Sequence, residues 1–244
     1  MKKNLLCAAM LFASCSAFAA EQHVHWDYSG DKGPENWAKL TPEFGACAGK
    51  NQTPVNLTGF IKADLKPLKF NYKVGGSQIL NNGHTVQVVY DAGSNVVIDG
   101  IEYELKQFHF HAPSENEIKG ESYPLEGHFV HADKNGNLAV VAVMFKEGKA
   151  NPVLENLWAH LPAKEGDKIA LTPAHNALDL LPKNHAYYRF SGSLTTPPCT
   201  EGVRWIVMKK PVFVSKAQID AFKKVMGHDN NRPLQAVNAR EILE

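Results

Sequence analysis

The stretch Gln107-Phe108-His109-Phe110-His111 limits what this chain can become more than any other. In a β-strand successive side chains point to opposite faces, so Gln107, His109 and His111 share one face while Phe108 and Phe110 enter the other. Two imidazoles two residues apart can converge on one metal ion. A third ligand must come from a neighbouring strand, and His128 sits in the next apolar run, Leu125-Glu126-Gly127-His128-Phe129-Val130-His131. Three histidines without a fourth protein ligand are the pattern of a catalytic zinc with an open position. The competing reading, two ordinary polar residues on a strand, is weighed by what surrounds them.

The first residues read as an export signal over 1–19 rather than as fold. Lys2 and Lys3 supply positive charge, Leu5 to Phe12 the apolar run, and Ala17-Phe18-Ala19 a small-x-small cleavage site. The run is short for a membrane span. Lipidation of Cys15 is the rival expectation, although Phe12 stands where such sites usually carry Leu. The remainder, 20–244, is expected to be one soluble domain, periplasmic or secreted, since no repeat, linker or low-complexity tract divides it. A formal net charge of +1, with acids and bases interspersed, speaks against nucleic acid as a partner, and 44% hydrophobic residues suffice for a core. Loss of the signal leaves Cys47 and Cys199 in an oxidising compartment, where an even pair reads as a disulfide. Two separate buried thiols are the alternative. Paired cysteines leave no thiolate for a metal, so a zinc site here is built from histidine.

Short strands joined by recognisable turns make up the body: Leu68 to Tyr72, Thr85 to Tyr90, Val96 to Ile98, Ile101 to His111, Leu125 to His131, Leu138 to Phe145, Tyr187 to Phe190 and Val203 to Met208. Asp99-Gly100 is a hairpin turn, and Asn135-Gly136 turns the His128 strand into Leu138 to Phe145. Ser215-Lys216-Ala217-Gln218 is a capping box ahead of Ile219, Phe222, Val225 and Met226 at helical spacing, with Gly227 as the stop. Asn151 to His160 reads as a second helix entered through Pro152. The expected class is mainly β (α+β), a single domain on one large, mostly antiparallel twisted sheet with peripheral helices.

Gln107 precedes His109 by two residues and Glu126 precedes His128 by two, so each lies on its histidine's side of the strand. A ligating imidazole needs its other nitrogen held by an acceptor, which fixes the tautomer and raises basicity. Neutral imidazoles leave the metal its full charge, and that charge acidifies a bound water. A histidine titrating near neutrality suits export of the released proton; His84, after Asn81-Asn82-Gly83, is the candidate, with a solvated turn residue as the plainer reading. Gly192-Ser193-Leu194-Thr195-Thr196-Pro197-Pro198-Cys199 is rich in small and hydroxyl residues and stiffened by two prolines. A Thr hydroxyl can accept a hydrogen bond from hydroxide while donating its own to a carboxylate such as Glu115.

Taken in order, Asn51-Gln52-Thr53-Pro54-Val55-Asn56, Asn82-Gly83-His84, His109-Phe110-His111, Pro113-Ser114-Glu115, Glu126 to His131, Ser193 to Pro198 and Arg204-Trp205-Ile206-Val207 resemble the α-class carbonic anhydrases, from about Trp26 to the C-terminus. The resemblance implies that fold, with Zn2+ on His109, His111 and His128 and with Gln107 and Glu126 behind them. It implies that Thr195, oriented by Glu115, aligns a zinc-bound hydroxide and that His84 shuttles protons through ordered water. Carbon dioxide would rest against Val130, Val140, Leu194 and Trp205, while Thr196 and Tyr28 help order solvent. The implied activity is that of a zinc lyase, the reversible hydration of carbon dioxide to bicarbonate and a proton. Implied partners are carbon dioxide, bicarbonate, water, inhibitory anions and sulfonamides, with no nucleic acid and no membrane; monomer and homodimer both stay open. Cis bonds at Thr53-Pro54 and Pro197-Pro198 are part of the same expectation.

Three departures stand out. Asn116 replaces a His common in animal members and Phe190 a common Tyr, which is expected to remove a buried polar contact. Gln87 replaces an Asn near the shuttle. Two other functions compete: a noncatalytic zinc-binding or storage protein, for which Glu115 and Thr195 would have no purpose, and a cupin-like metalloprotein, whose second motif is missing around His128.

Overall fold

A computed structural model describes residues 24–244; the signal expected over 1–19, with Cys15, lies outside the described residues. After 3-10 turns at Gly30–Lys32 and Pro42–Ala48, which flank the helix α1 (Trp37–Leu40), come the strands β1 (Asn56–Leu57), β2 (Lys69–Asn71), β3 (Gly76–Asn81), β4 (Val86–Tyr90), β5 (Asn95–Ile98), β6 (Ile101–His111), β7 (Glu117–Ile118), β8 (Leu125–Ala132) and β9 (Leu138–Glu147). The chain continues through α2 (Pro152–Trp158), β10 (Lys168–His175), β11 (Tyr187–Ser193), β12 (Glu201–Met208), β13 (Val212–Val214) and α3 (Lys216–Met226). Among the described residues no helix is long and apolar enough to cross a membrane.

Among the described residues eleven strands form one sheet, ordered β10-β3-β4-β6-β8-β9-β12-β11, with β5 on β6, β2 on β5 and β13 on β9. Pairing is mostly antiparallel, as expected, but β12 and β13 both run parallel to β9. The centre of the sheet is covered on both faces. Along β9, Ala139, Val141, Val143 and Phe145 enter one core and Val140, Ala142 and Met144 the other, which is why Leu138 to Phe145 reads as an unbroken apolar run. Phe108, Phe110 and Phe129 fill the larger core with Phe222 of α3, and such rings contribute roughly 1.5–3 kcal/mol each when fully buried. β6 and β8, which carry the three histidines, thus lie at the buried centre of the sheet.

Both helices form where expected. The Ser215–Gln218 capping box is made, and Gly227 ends α3 with φ 73°. Asn151 caps α2 by accepting from the Val153 and Leu154 N–H groups, and α2 stops at Trp158, short of the expected His160. Gln218 ties the two helices together, accepting from the Asn151 N–H and donating to its carbonyl. Cis bonds occur at Thr53-Pro54 and Pro197-Pro198, and also at Ala112-Pro113 and Thr172-Pro173.

Candidate metal centre

The register of β6 against β8 assembles the three histidines. His109 stands directly opposite His128, and His111, two residues on, stands opposite Glu126 on the same face. The ring centroids are 5.0 Å apart for His109 and His111, 5.4 Å for His109 and His128 and 4.6 Å for His111 and His128. One nitrogen from each ring lies within 4.8 Å of the other two.

The second nitrogens are all occupied by acceptors, which identifies the tautomers. His109 Nδ1 donates to Gln107 Oε1 at 2.8 Å, His111 Nδ1 to the Asn230 carbonyl at 2.7 Å and His128 Nε2 to Glu126 Oε1 at 2.9 Å. Because none of these oxygens carries a proton to give, each imidazole holds its proton on that side and keeps a lone pair on the other. Burial lowers all three pKa values. Neighbouring imidazoles add to the shift for His109 and His128, while the Asn230 carbonyl opposes it at His111. Three neutral rings result, with lone pairs at His109 Nε2, His111 Nε2 and His128 Nδ1.

Two carboxylates lie behind them. Glu126 is buried and collects four donors: Oε2 takes the Glu115 and Asn116 N–H groups at 2.7 and 2.8 Å, and Oε1 takes Asn116 Nδ2 and His128 Nε2. Burial pushes its pKa up and the Asn116 bonds oppose this, so the carboxylate serves as an acceptor on both oxygens. Asn116 also accepts from the Val55 N–H through Oδ1. A buried polar contact, expected to be absent here, is thus present at Asn116, whereas Phe190 stacks on Trp205 at 5.9 Å.

Glu115 accepts the Arg232 N–H on Oε1 at 2.9 Å. Its Oε2 faces His111 Nε2 at 3.4 Å and His128 Nδ1 at 3.8 Å. Burial pushes this carboxyl up to about 8, opposed by the adjoining Thr195 hydroxyl and the Arg232 N–H. Among the described residues neither Glu115 Oε2 nor His111 Nε2 has a hydrogen-bond partner, although both are buried. Leaving such atoms unpaired is costly. An orphaned lone pair beside an orphaned carboxylate oxygen, amid neutral imidazoles, fits a divalent cation such as zinc.

The apolar residues of the site come together across three strands. Val130 on β8 pairs with Val140 on β9, which pairs with Trp205 on β12, and Leu194 packs against this cluster. The Trp205 ring lies 5.0 Å from that of His128 and is fixed by its Nε1–H donating to the Ser193 carbonyl. His84 stacks on Trp26 at 3.6 Å and borders a cleft of 840 Å³ that Glu43, Glu165 and Pro197 also line. Burial lowers its pKa and His25 adds to this, against Glu165 and Asp27. Thr196 is half-buried in the loop after β11, and the buried Tyr28 hydroxyl has no partner among the described residues. Gln87 stands opposite His109 across β4 and β6. Cys47 and Cys199 form a disulfide.

Asn230 and Arg232 are absent from the sequence reading. Asn230 serves His111 through its backbone carbonyl, and Arg232 serves Glu115 through its backbone N–H. Main-chain groups are the same at every position, so no residue type announces these roles.

A mainly β protein with three imidazoles on one sheet face, each backed by an acceptor, belongs to the class of three-histidine metalloenzymes. A family model for eukaryotic-type carbonic anhydrases matches residues 32–244. The carbonic anhydrase of Pectobacterium carotovorum is 47% identical over 244 residues, covering 99% of either chain. A hyperthermostable carbonic anhydrase from a hydrothermal vent chimney superposes with a TM-score of 0.88 at 58% identity, covering 90% of this chain and 99% of that one. The α-carbonic anhydrase of Thermovibrio ammonificans, solved with sulfanilamide, superposes with a TM-score of 0.89 at 52% identity over 91% and 99% of the two chains. This chain belongs to the α-class, or eukaryotic-type, carbonic anhydrases, a family of zinc enzymes. The cupin-like alternative falls with that assignment.

Proposed function

We propose that the chain catalyses the reversible hydration of carbon dioxide to bicarbonate and a proton, with Zn2+ held by His109 Nε2, His111 Nε2 and His128 Nδ1. The observation that carries this is the trio of neutral imidazoles, each donating from one nitrogen and offering the other within 4.8 Å of its companions. When bound, zinc supplies a Lewis acid with an open position, established in this enzyme family to bring the pKa of a coordinated water near neutrality.

The chain's own residues orient, exclude water and move the proton. The Thr195 hydroxyl adjoins the Glu115 carboxyl, one oxygen of which the Arg232 N–H fixes; once turned to donate to that carboxyl it offers a lone pair to the O–H of the nucleophile. That bond turns the nucleophile's remaining lone pair towards the substrate carbon. Val130, Val140, Leu194 and Trp205 present a small apolar wall suited to a nonpolar linear substrate. Tyr28 and Thr196 order solvent between the centre and His84. His84, held below its ordinary pKa mainly by burial, passes the proton to buffer in the cleft.

Bicarbonate, inhibitory anions and sulfonamides are the proposed ligands, the last because a 52% identical relative is known with sulfanilamide. A periplasmic or secreted location is proposed from the signal pattern over 1–19, and the Cys47–Cys199 disulfide supports it. The test is stopped-flow carbon dioxide hydration with metal analysis on the same sample, before and after chelation. Fast hydration lost on chelation and regained with zinc is expected. A zinc-loaded protein without activity would overturn the enzyme reading in favour of a binding or storage role.

A further inference from the structure

The antiparallel ladder between β4 and β6 ends before it reaches the end of β6. Its register pairs Val89 with Gln107, Val88 with Phe108 and Gln87 with His109, and goes no further towards His111. Two side chains continue it. Thr85 Oγ1 donates to the Phe110 carbonyl at 2.6 Å and accepts the Phe110 N–H at 3.3 Å. Asn230, which is fully buried, does more. Its Oδ1 accepts the Ala112 N–H at 2.8 Å, and its Nδ2 donates to the carbonyls of Phe110 at 2.9 Å and His84 at 3.0 Å. Its backbone carbonyl meanwhile holds His111 Nδ1.

One residue therefore grips the end of the ligand strand and the turn that presents His84. The turn itself is closed locally: Asn82 Oδ1 accepts the His84 and Thr85 N–H groups. Such a turn is compact but could pivot as a unit; the bond from Asn230 Nδ2 to the His84 carbonyl removes that freedom. We infer that Asn230 is a positioning residue which sets His84 in register with His111, so that the proton carrier and the metal ligand are placed by the same side chain and backbone. The inference rests on His84 carrying protons, as proposed above. Asn230 is assigned a positioning role only, and the carbonyl that holds His111 is a main-chain group that every residue type supplies.

The experiment uses the near-isosteric Asn230→Leu, with Asn230→Ser as a second variant should the first fail to fold, each alone and combined with His84→Ala. Proton transfer to buffer limits kcat and not kcat/KM, so in dilute buffer kcat is expected to fall ~3–10-fold with a smaller fall in kcat/KM, and imidazole buffer is expected to restore it. In the His84→Ala background the Asn230 substitution is expected to add no further loss, as for two residues acting through one step. A metal-free readout accompanies it: the His84 ring stacks on Trp26 at 3.6 Å, so its NMR resonances carry an indole ring-current shift that is expected to shrink in the Asn230 variants. Unchanged His84 resonances, or an equal loss with and without His84, would overturn the inference. If His84→Ala alone leaves kcat in dilute buffer intact, the shuttle reading fails and this one with it. If His84→Ala slows turnover and the Asn230 variants do not, only this one falls.

Discussion

His128 and His131 stand three residues apart on β8 and so face opposite sides of the sheet. His128 keeps one nitrogen free, whereas both nitrogens of His131 are used: Nδ1 donates to the Ala139 carbonyl at 3.3 Å and Nε2 accepts the Tyr72 hydroxyl at 2.5 Å. Full burial lowers the His131 pKa to about 4, against 6.5 for an ordinary histidine. The unfolded chain thus takes up a proton near pH 6.5 that the folded chain refuses until about pH 4. Stability from this residue is complete above pH 6.5 and drains away as pH falls towards 4, by up to ~3 kcal/mol. His131→Phe is expected to be less stable at pH 7, because Tyr72 loses its acceptor, yet to lose less between pH 7 and pH 5 than the parent. Urea midpoints at the two pH values measure this, and parallel losses in parent and variant would sink the argument. The contrast between the two histidines is legible in sequence because it follows from strand period alone. The Asn230 and Arg232 contacts are not, since they depend on which backbone groups a distant loop brings to β6 and Glu115.

Strands at the centre of the sheet are legible in the sequence in a way that those towards the β10 edge are not. β6, β8 and β9 are long and apolar or alternating, and their observed bounds differ from the expected ones by at most two residues at either end. β3 and β10 escaped the sequence reading. Gly76-Ser77-Gln78-Ile79-Leu80-Asn81 has neither alternation nor a bulky apolar run, and β10 carries Pro173, which a strand tolerates because β10 lies at the sheet's edge. The end of β11 shows what strand patterning leaves out. A Cβ on Gly192 would lie 2.1 Å from Thr53 Oγ1 and 3.0 Å from Trp205 Cδ1. That closeness lets Thr53 and Ser193 exchange two bonds, Thr53 N–H to Ser193 Oγ and Ser193 N–H to Thr53 Oγ1, just before the chain reaches Thr195. Gly192→Ala is expected to break this exchange and cost ~1–3 kcal/mol, as overpacking does. It should also weaken carbon dioxide hydration, since Trp205 and the Thr195 loop must shift. A urea midpoint equal to the parent's would show that the close approach is not required.

Three segments far apart in the chain meet beside the site, and a covalent bond and a buried arginine hold them together. Cys47 and Cys199 are bridged across a separation of 152 residues. Arg232, 2% exposed, donates to the Cys47 and Thr53 carbonyls and to Gln52 Oε1, and lies over the Trp37 ring at 5.4 Å. Gln52 in turn donates to the Cys199 carbonyl at 3.1 Å. The bridge and the polar contacts act on different states. Closing so long a loop restricts the unfolded chain, a contribution of ~4–5 kcal/mol in the chain-entropy account and less where the unfolded chain keeps structure. The Arg232 bonds exist only in the folded protein and keep the same segments adjacent without the bridge. Cys47→Ser with Cys199→Ser is therefore expected to leave zinc content unchanged, since none of the three proposed ligands lies in these segments, while lowering stability by ~2–5 kcal/mol. Urea unfolding of the zinc-loaded double variant, compared with the oxidised and the reduced parent, measures the loss. The reduced parent and the variant should fall together. Loss of zinc in the variant, with secondary structure intact, would show instead that the bridge acts on the folded site, which the Arg232 contacts alone could not then maintain.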